Sequence, residues 1–348
     1  MNSLEHELHY PLGDTLPALG ETIEVATGVR WLRVGLPFAL NHINLWLLAD
    51  NYQGKRGWAI VDCGIASPAT REAWAAVTAS LDGPITRVIA THMHPDHIGN
   101  ARWLCDTHGV QLFCSMTDYI MARALLATPS GSGGELAAAH FAAHGLNSPA
   151  DIEKIKQRGT HFSNLVDGLP TSFARLMDGQ TLNVGANDWQ LISGYGHSPE
   201  HISLYCATLG VCISGDMLLP RVSTNVSVWD MEPEGNPLPL FLAGIERFAF
   251  MPEATLVLPS HGKPFHGIAA RLRQLREHHR DRLDDVLQAC KTGPKNAVDI
   301  VKVLFNRELD LHQMTFALGE SLAHLHALWY EGKLSRSKNA AGVWEFRA

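Results

Sequence analysis

The sequence lacks any run of about eighteen apolar residues, so no segment is expected to cross a bilayer as a helix. Its first residues, Met1-Asn2-Ser3-Leu4-Glu5-His6-Glu7, have no basic start followed by an apolar core, so no signal peptide is expected. There is no excess of positive charge. A net charge of −7 argues against a general nucleic-acid or anionic-membrane binder. The six cysteines (Cys63, Cys105, Cys114, Cys206, Cys212 and Cys290) form no Cys-x-x-Cys pair, which removes a zinc ribbon and a dithiol redox site. Scattered among apolar neighbours, they read as buried free thiols of a reducing compartment, so a cytoplasmic protein is expected. No Gly-x-Ser-x-Gly occurs to supply a serine nucleophile. Internal repeats and low-complexity tracts are absent as well.

What is present is a chain of 348 residues, 46% hydrophobic and 18% charged, long enough to bury a large core in one domain or two. Its densest chemistry is Thr91-His92-Met93-His94-Pro95-Asp96-His97-Ile98-Gly99-Asn100. Arg87-Val88-Ile89-Ala90 before it reads as a buried strand. The motif then occupies the loop at that strand's carboxyl end, a common place for chemistry in α/β proteins. Alternation along an extended segment sends His92, His94 and Asp96 the same way, and a turn at Pro95-Asp96 frees His97 to point towards a second ion. Imidazole nitrogen with carboxylate oxygen suits zinc, iron or manganese rather than calcium.

His92-x-His94-x-Asp96-His97 resembles the signature of the metallo-β-lactamase-fold hydrolases. Three later segments resemble that family's remaining ligand settings: Gly196-His197-Ser198, Ser214-Gly215-Asp216 and Ser260-His261-Gly262. The resemblance covers roughly residues 22 to 265 and is glyoxalase II-like in character. It implies two divalent metal ions, zinc first, with iron or manganese as alternatives. His92, His94 and His197 would hold one ion, Asp96, His97 and His261 the other, and Asp216 would bridge them. It further implies that the carboxylate of Asp62, in Asp62-Cys63-Gly64, orients a ligating histidine. The implied architecture is a four-layer αββα sandwich with helices outside two facing sheets.

Along the chain, strands are expected over 21–34, 41–48 and 58–61, with a hairpin turn at Asp50-Asn51-Tyr52-Gln53-Gly54-Lys55-Arg56-Gly57. A helix is expected from Ser67 to Leu81, another from Asn100 to His108, and a strand at 110–114. Residues 117–175 read as a helical insertion, a lid or a packing element. Its helices cover about 117–127, 134–145 and 149–158 around the hinge Pro129-Ser130-Gly131-Ser132-Gly133-Gly134. Strands at 180–184, 189–192, 202–206, 211–214 and 256–259 deliver His197, Asp216 and His261. The catalytic domain is therefore taken as residues 1–267. Residues 268–348 form a mostly helical extension, with helices at 268–290, 296–305 and 311–330 and a hairpin of 331–334 with 343–346. Helix, helix, hairpin is winged-helix-like. From Gly293 onward seven Lys/Arg face six Asp/Glu, so packing or homodimerisation is favoured over nucleic-acid reading.

The implied reaction is metal-assisted hydrolysis by a hydroxide held between two ions, with Asp96 aiming it. The favoured substrate is a small thioester or related carboxylic ester, such as a CoA or glutathione thioester. Alternatives within the resemblance are a phosphodiesterase or ribonuclease, and a persulfide dioxygenase with a single iron. Tyr195 and His201 are candidates for contacting substrate or for supporting a metal ligand, and Arg221 for pairing with an anionic substrate group.

Overall fold

The computed structural model describes residues 4–128 and 133–348. Residues 129–132 of the expected hinge lie outside the described residues. The chain gathers into two compact units. The first comprises Met1–Leu126, Ser163–Thr224 and Gly244–Arg271, and the second Ala127–Phe162, Asn225–Ala243 and Leu272–Ala348.

Two sheets make up the core of the first unit. One has seven strands in sequential order: β1 (Ile23–Ala26), β2 (Val29–Gly35), β3 (His42–Tyr52), β4 (Lys55–Val61), β5 (Ile85–Ile89), β6 (Leu112–Ser115) and β7 (Phe173–Leu176). The other holds β8 (Thr181–Val184), β9 (Asn187–Gly194), β10 (His201–Cys206), β11 (Val211–Gly215) and β12 (Leu256–Pro259), with β12 and β8 at its edges. β4 to β7 run parallel, as do β11 and β12, so their carboxyl ends can be gathered at one place. Alternating residues of both sheets meet in a shared core: Trp31, Trp46, Val61 and Ile89 from the first, Trp189, Leu191, Ile202, Leu204 and Ile213 from the second. Each such side chain fully removed from water contributes about 1.5–3 kcal/mol. The opposite face of β2 to β5 is apolar too, with Leu32, Leu45, Leu47, Ile60 and Val88 buried. Helix α1 (Pro68–Ser80) lies on it, started by Ser67 as N-cap and Pro68 in the first turn. α2 (Pro95–Ile98), α3 (Ala101–His108) and α4 (Met116–Ala127) complete the connections of this sheet as far as β6 and beyond it. The expected two-sheet sandwich with outer helices is thus the observed fold.

The polar stretch 50–57 is not one long turn. β3 runs on to Tyr52 and β4 starts at Lys55, leaving only Gln53 and Gly54 as the loop, at φ 54° and 79°. A two-residue loop with both φ positive matches the twist of the strands it joins. The polar strand residues are held by an ion pair: Asp50 receives Nε and Nη2 of Arg87 at 2.9 and 2.8 Å, Thr86 Oγ1 at 2.6 Å and the Gly185 amide at 2.9 Å. Arg87 Nη2 also donates to the Asn183 carbonyl. One buried pair therefore ties β3 and β5 to the β8–β9 turn of the other sheet.

The second unit is mostly helical. It contains α5 (Gly134–Ala143) packed on α6 (Pro149–Lys156), and α10 (Ala297–Leu304) packed on α11 (Leu311–Tyr330). α7 (His161–Leu165), α8 (Pro237–Glu246) and α9 (Ile268–Lys291) are the remaining helices among the described residues. α10 opens with a capping box between Asn296 and Asp299. The terminal hairpin is shifted from its expected place. Its strands are β13 (Ser335–Lys338) and β14 (Trp344–Arg347), while 331–334 form the turn that ends α11. There Gly332 sits at φ 72° and the amides of Lys333 and Leu334 return to the Leu328 carbonyl.

Removing one partner of a buried ion pair strands the other charge. Asp50→Ala is expected to lower the unfolding free energy by about 3–5 kcal/mol, read as a drop in the urea midpoint at unchanged slope. A loss under about 1 kcal/mol would show that solvent replaces the carboxylate.

Candidate metal centre

At the carboxyl end of β5 the chain leaves the sheet through Thr91 and His92. His94 keeps an extended backbone, and Pro95 starts the single turn of α2, which swings Asp96 and His97 back over the strand ends. The β9–β10 loop brings His197, and the ends of β11 and β12 bring Asp216 and His261.

The seven side chains form two adjoining lobes. In the first, His92 Nε2, His94 Nδ1 and His197 Nε2 are separated by 2.9, 3.0 and 3.3 Å. In the second, His261 Nε2 lies 3.3 Å from Asp96 Oδ2, and His97 Nε2 lies 3.6 Å from the same oxygen. Asp216 stands between the lobes. Its Oδ2 is 3.2 Å from His197 Nε2, while its Oδ1 is 3.5 Å from both His97 Nε2 and His261 Nε2.

Hydrogen bonding alone does not satisfy these groups. His97 Nε2 and Asp216 Oδ1 are buried without a hydrogen-bond partner, an arrangement that costs about 1–3 kcal/mol per group. Three imidazole nitrogens about 3 Å apart cannot all pair with one another either. Tetrahedral zinc with nitrogens at about 2.0–2.1 Å places them about 3.3 Å apart, so the first lobe fits a cation. His/Asp donors of this kind suit a divalent transition metal.

Charge divides the lobes as well. Burial and the neighbouring imidazoles push His92 far below its ordinary pKa and His94 down to about 3, so both are neutral, the ligating form. In the second lobe burial opposes protonation, but Asp96, Asp62 and Asp216 outweigh it and raise His97 to about 9. His261 is raised to about 10 in the same way, chiefly by Asp216. Protons there stand in for the positive charge that three buried carboxylates demand.

Asp62 fixes this geometry from behind. At φ 64° its carboxylate accepts the Thr91 amide at 2.7 Å and Thr91 Oγ1 at 2.9 Å, and it lies 2.8 Å from His97 Nδ1. The glycine two residues on is obligatory. Gly64 has φ 74°, and a Cβ there would meet Thr70 Cγ2 of α1 at 2.6 Å.

Several supporting residues escaped the sequence reading. Asn100 donates to the carbonyls of Cys63, Gly64 and Ile65. Asn44 donates to the carbonyls of Pro259 and Gly262, on either side of His261, and accepts from Trp31 Nε1. His42 offers its carbonyl to His261 Nδ1 at 2.7 Å and its Nε2 to the Gly262 amide. Asp118, buried and raised to about 7 by that burial, accepts from Ser198 Oγ and the Glu200 amide beside His197. The signal available for Asn44 was a lone amide inside the apolar strand Ile43-Asn44-Leu45. Asp118 gave none, because these partners lie eighty residues or more along the chain.

Of the residues expected at the substrate, Tyr195 is 39% exposed on the His197 loop. His201 is not placed for substrate: its ring is fully buried and Nε2 accepts the Asp216 amide at 3.1 Å, so it holds the Asp216 loop. Arg221 pairs with Glu5 at 3.0 Å, its anionic partner lying within the chain itself.

The model of the metallo-beta-lactamase superfamily matches residues 40–287, and that of the metallo-beta-lactamase-like C-terminal domain matches residues 283–348. A beta-lactamase domain protein from Burkholderia ambifaria of known structure is 50% identical, with 99% of each chain covered and a TM-score of 0.94. The metallo-beta-lactamase family protein TTHA1429 from Thermus thermophilus is 28% identical, covering 93% of this chain and 99% of its own, with a TM-score of 0.75. The probable metallo-hydrolase YqjP of Bacillus subtilis (strain 168) is 24% identical over 308 residues, 85% of this chain and 91% of that protein.

Asp62→Ala removes the group that orients His97 and leaves all seven converging side chains in place. It is expected to weaken metal binding by about 10–100-fold, measured by competition with a chromophoric chelator. Equal affinity in both proteins would show that Thr91 and packing suffice to hold the ring.

Proposed function

Because the chain belongs to the metallo-beta-lactamase superfamily, we propose that it is a dinuclear-metal hydrolase acting on a thioester or related carboxylic ester. One observation carries the two-ion reading: the oxygens of Asp216 are divided between two complete lobes. A single-iron oxygenase of this fold would share these ligand motifs, so the number of ions bound per chain is the measurement that separates the two readings. His92, His94 and His197 would hold one ion, and Asp96, His97 and His261 the other. Zinc fits this donor set first, with iron and manganese close behind.

Bound divalent cations supply Lewis acidity, polarising the scissile carbonyl and bringing the pKa of water to about 7. The chain's own residues supply the aim. Asp96 is the more accessible site carboxylate, its side chain 20% exposed against 9% for Asp216, so it faces incoming water and accepts its hydrogen bond. Asp62 is sealed from solvent and acts through His97 and Thr91. His201 of β10 holds the Asp216 loop, and Asn44 of β3 holds the His261 loop. A small thioester is favoured over RNA because the C-terminal extension carries no excess of basic residues, seven Lys/Arg against six Asp/Glu from Gly293 onward. Six buried, unpaired cysteines accord with a reducing cytoplasm.

With two metals bound per chain, the protein is expected to release free thiol from a panel of acyl-CoA and acyl-glutathione thioesters. Asp96→Ala should lose about 10²–10⁴-fold in kcat. No thiol release from protein carrying two ions would overturn the thioester assignment, and turnover of a phosphodiester in its place would move the reaction to phosphoryl transfer.

A further inference from the structure

Arg33 is a group beside the metal centre whose chemistry is unspent within the chain. It lies in β2 directly opposite Asn44 of β3. Strand alternation puts it on the inner face with Trp31, and Trp46 and Asn44 share that face on β3. Asn44 is the residue that grips both flanks of His261, and His42, the next inner-face position of β3, has its ring centroid 6.1 Å from that of His261. Arg33 therefore stands against the wall that carries His261, with its charge felt at His42.

Among the described residues, Arg33 Nη1 is shut off from water and donates to nothing. No carboxylate among them pairs with this guanidinium, whereas Arg71, Arg87, Arg221 and Arg247 of the same unit have Asp167, Asp50, Glu5 and Asp178. Burial is the force acting on Arg33, and it works against the charge. A guanidinium stays protonated through such burial and presents a planar fork suited to carboxylate or phosphate. The residue as a whole is only partly buried.

We propose that Arg33 binds an oxyanion of the substrate, a carboxylate or phosphate remote from the scissile carbonyl, and so sets the enzyme's preference for anionic esters. This rests on the hydrolase reading for its turnover test, and a binding test separates the two. Arg33, not Arg221, is the anion anchor, because Glu5 already answers Arg221.

The experiment uses metal-loaded full-length protein, Arg33→Met and Arg33→Lys. Two substrate pairs locate the anion: glutaryl against pentanoyl thioesters of N-acetylcysteamine for the acyl side, and glutathione against N-acetylcysteamine thioesters for the thiol side. Wild-type protein is expected to prefer the anionic member of one pair by about 10–100-fold in kcat/KM. The ratio should fall towards one in Arg33→Met and be partly kept in Arg33→Lys. Calorimetric titration with glutarate and with inorganic phosphate should show one anion binding at least about 10-fold more weakly to Arg33→Met. Arg33-dependent anion binding with no thioester turnover would keep this inference and discard the thioester reading. Equal affinities of wild type and Arg33→Met for both anions, or a substrate ratio untouched by the substitution, would overturn it.

Discussion

The Ile202 amide donates to the Thr91 carbonyl at 2.8 Å, and through that bond the two sheets share a backbone junction at the foot of the metal centre. His92 follows Thr91 and His201 precedes Ile202, so sliding one sheet against the other would displace the first lobe and the support of Asp216 together. Neighbouring bonds repeat the arrangement. The Asn44 amide meets the Ser260 carbonyl just before His261, the Ser260 amide meets the Gly215 carbonyl just before Asp216, and the Asp62 amide meets the Ile89 carbonyl. Metal sites tolerate errors of about 0.2 Å in ligand distance. Loops alone do not hold such tolerances. Here each ligand-bearing loop leaves its strand next to an inter-strand bond.

On that rigid footing the chain has assembled an electrostatic problem that it does not solve by itself. Asp62, Asp96 and Asp216 are gathered among buried imidazoles, and the chain answers them by raising the pKa of His97 and His261. Divalent metal bound here would answer the same charge with ligand bonds in place of protons, which would couple metal binding to the order of this end of the sandwich. The opposite end of β3 shows the other solution. Asp50 and Arg87 neutralise one another there with every carboxylate oxygen engaged.

The site was legible to the extent that its parts are local. His92, His94, Asp96 and His97 sit within six residues, and His197, Asp216 and His261 each follow an apolar strand that marks its own end. Asp62 was legible through the glycine two residues on, whose positive φ and contact with α1 the Asp-x-Gly pattern reflects. Polar composition misled at 50–57, since Asp50 is held in a strand by Arg87, thirty-seven residues away. It also misled at 331–334, where the stretch after α11 closes on Leu328 instead of pairing as a strand. Asp118 and Arg33 were invisible, and Asn44 left only a lone amide in an apolar strand, because their meaning lies in partners far along the chain.

The sequence by itself determined the family of chemistry, the ligand types and the order of strands, because periodicity and motif spacing are properties of neighbouring residues. Only the tertiary structure decided which arginine is answered within the chain and which is not. It also decided that His201 faces inward to Asp216, and that the two oxygens of Asp216 divide between two lobes. Those outcomes depend on the register between strands and the stacking of two sheets, and such long-range pairings are set by packing of the whole core, not by any one stretch of residues.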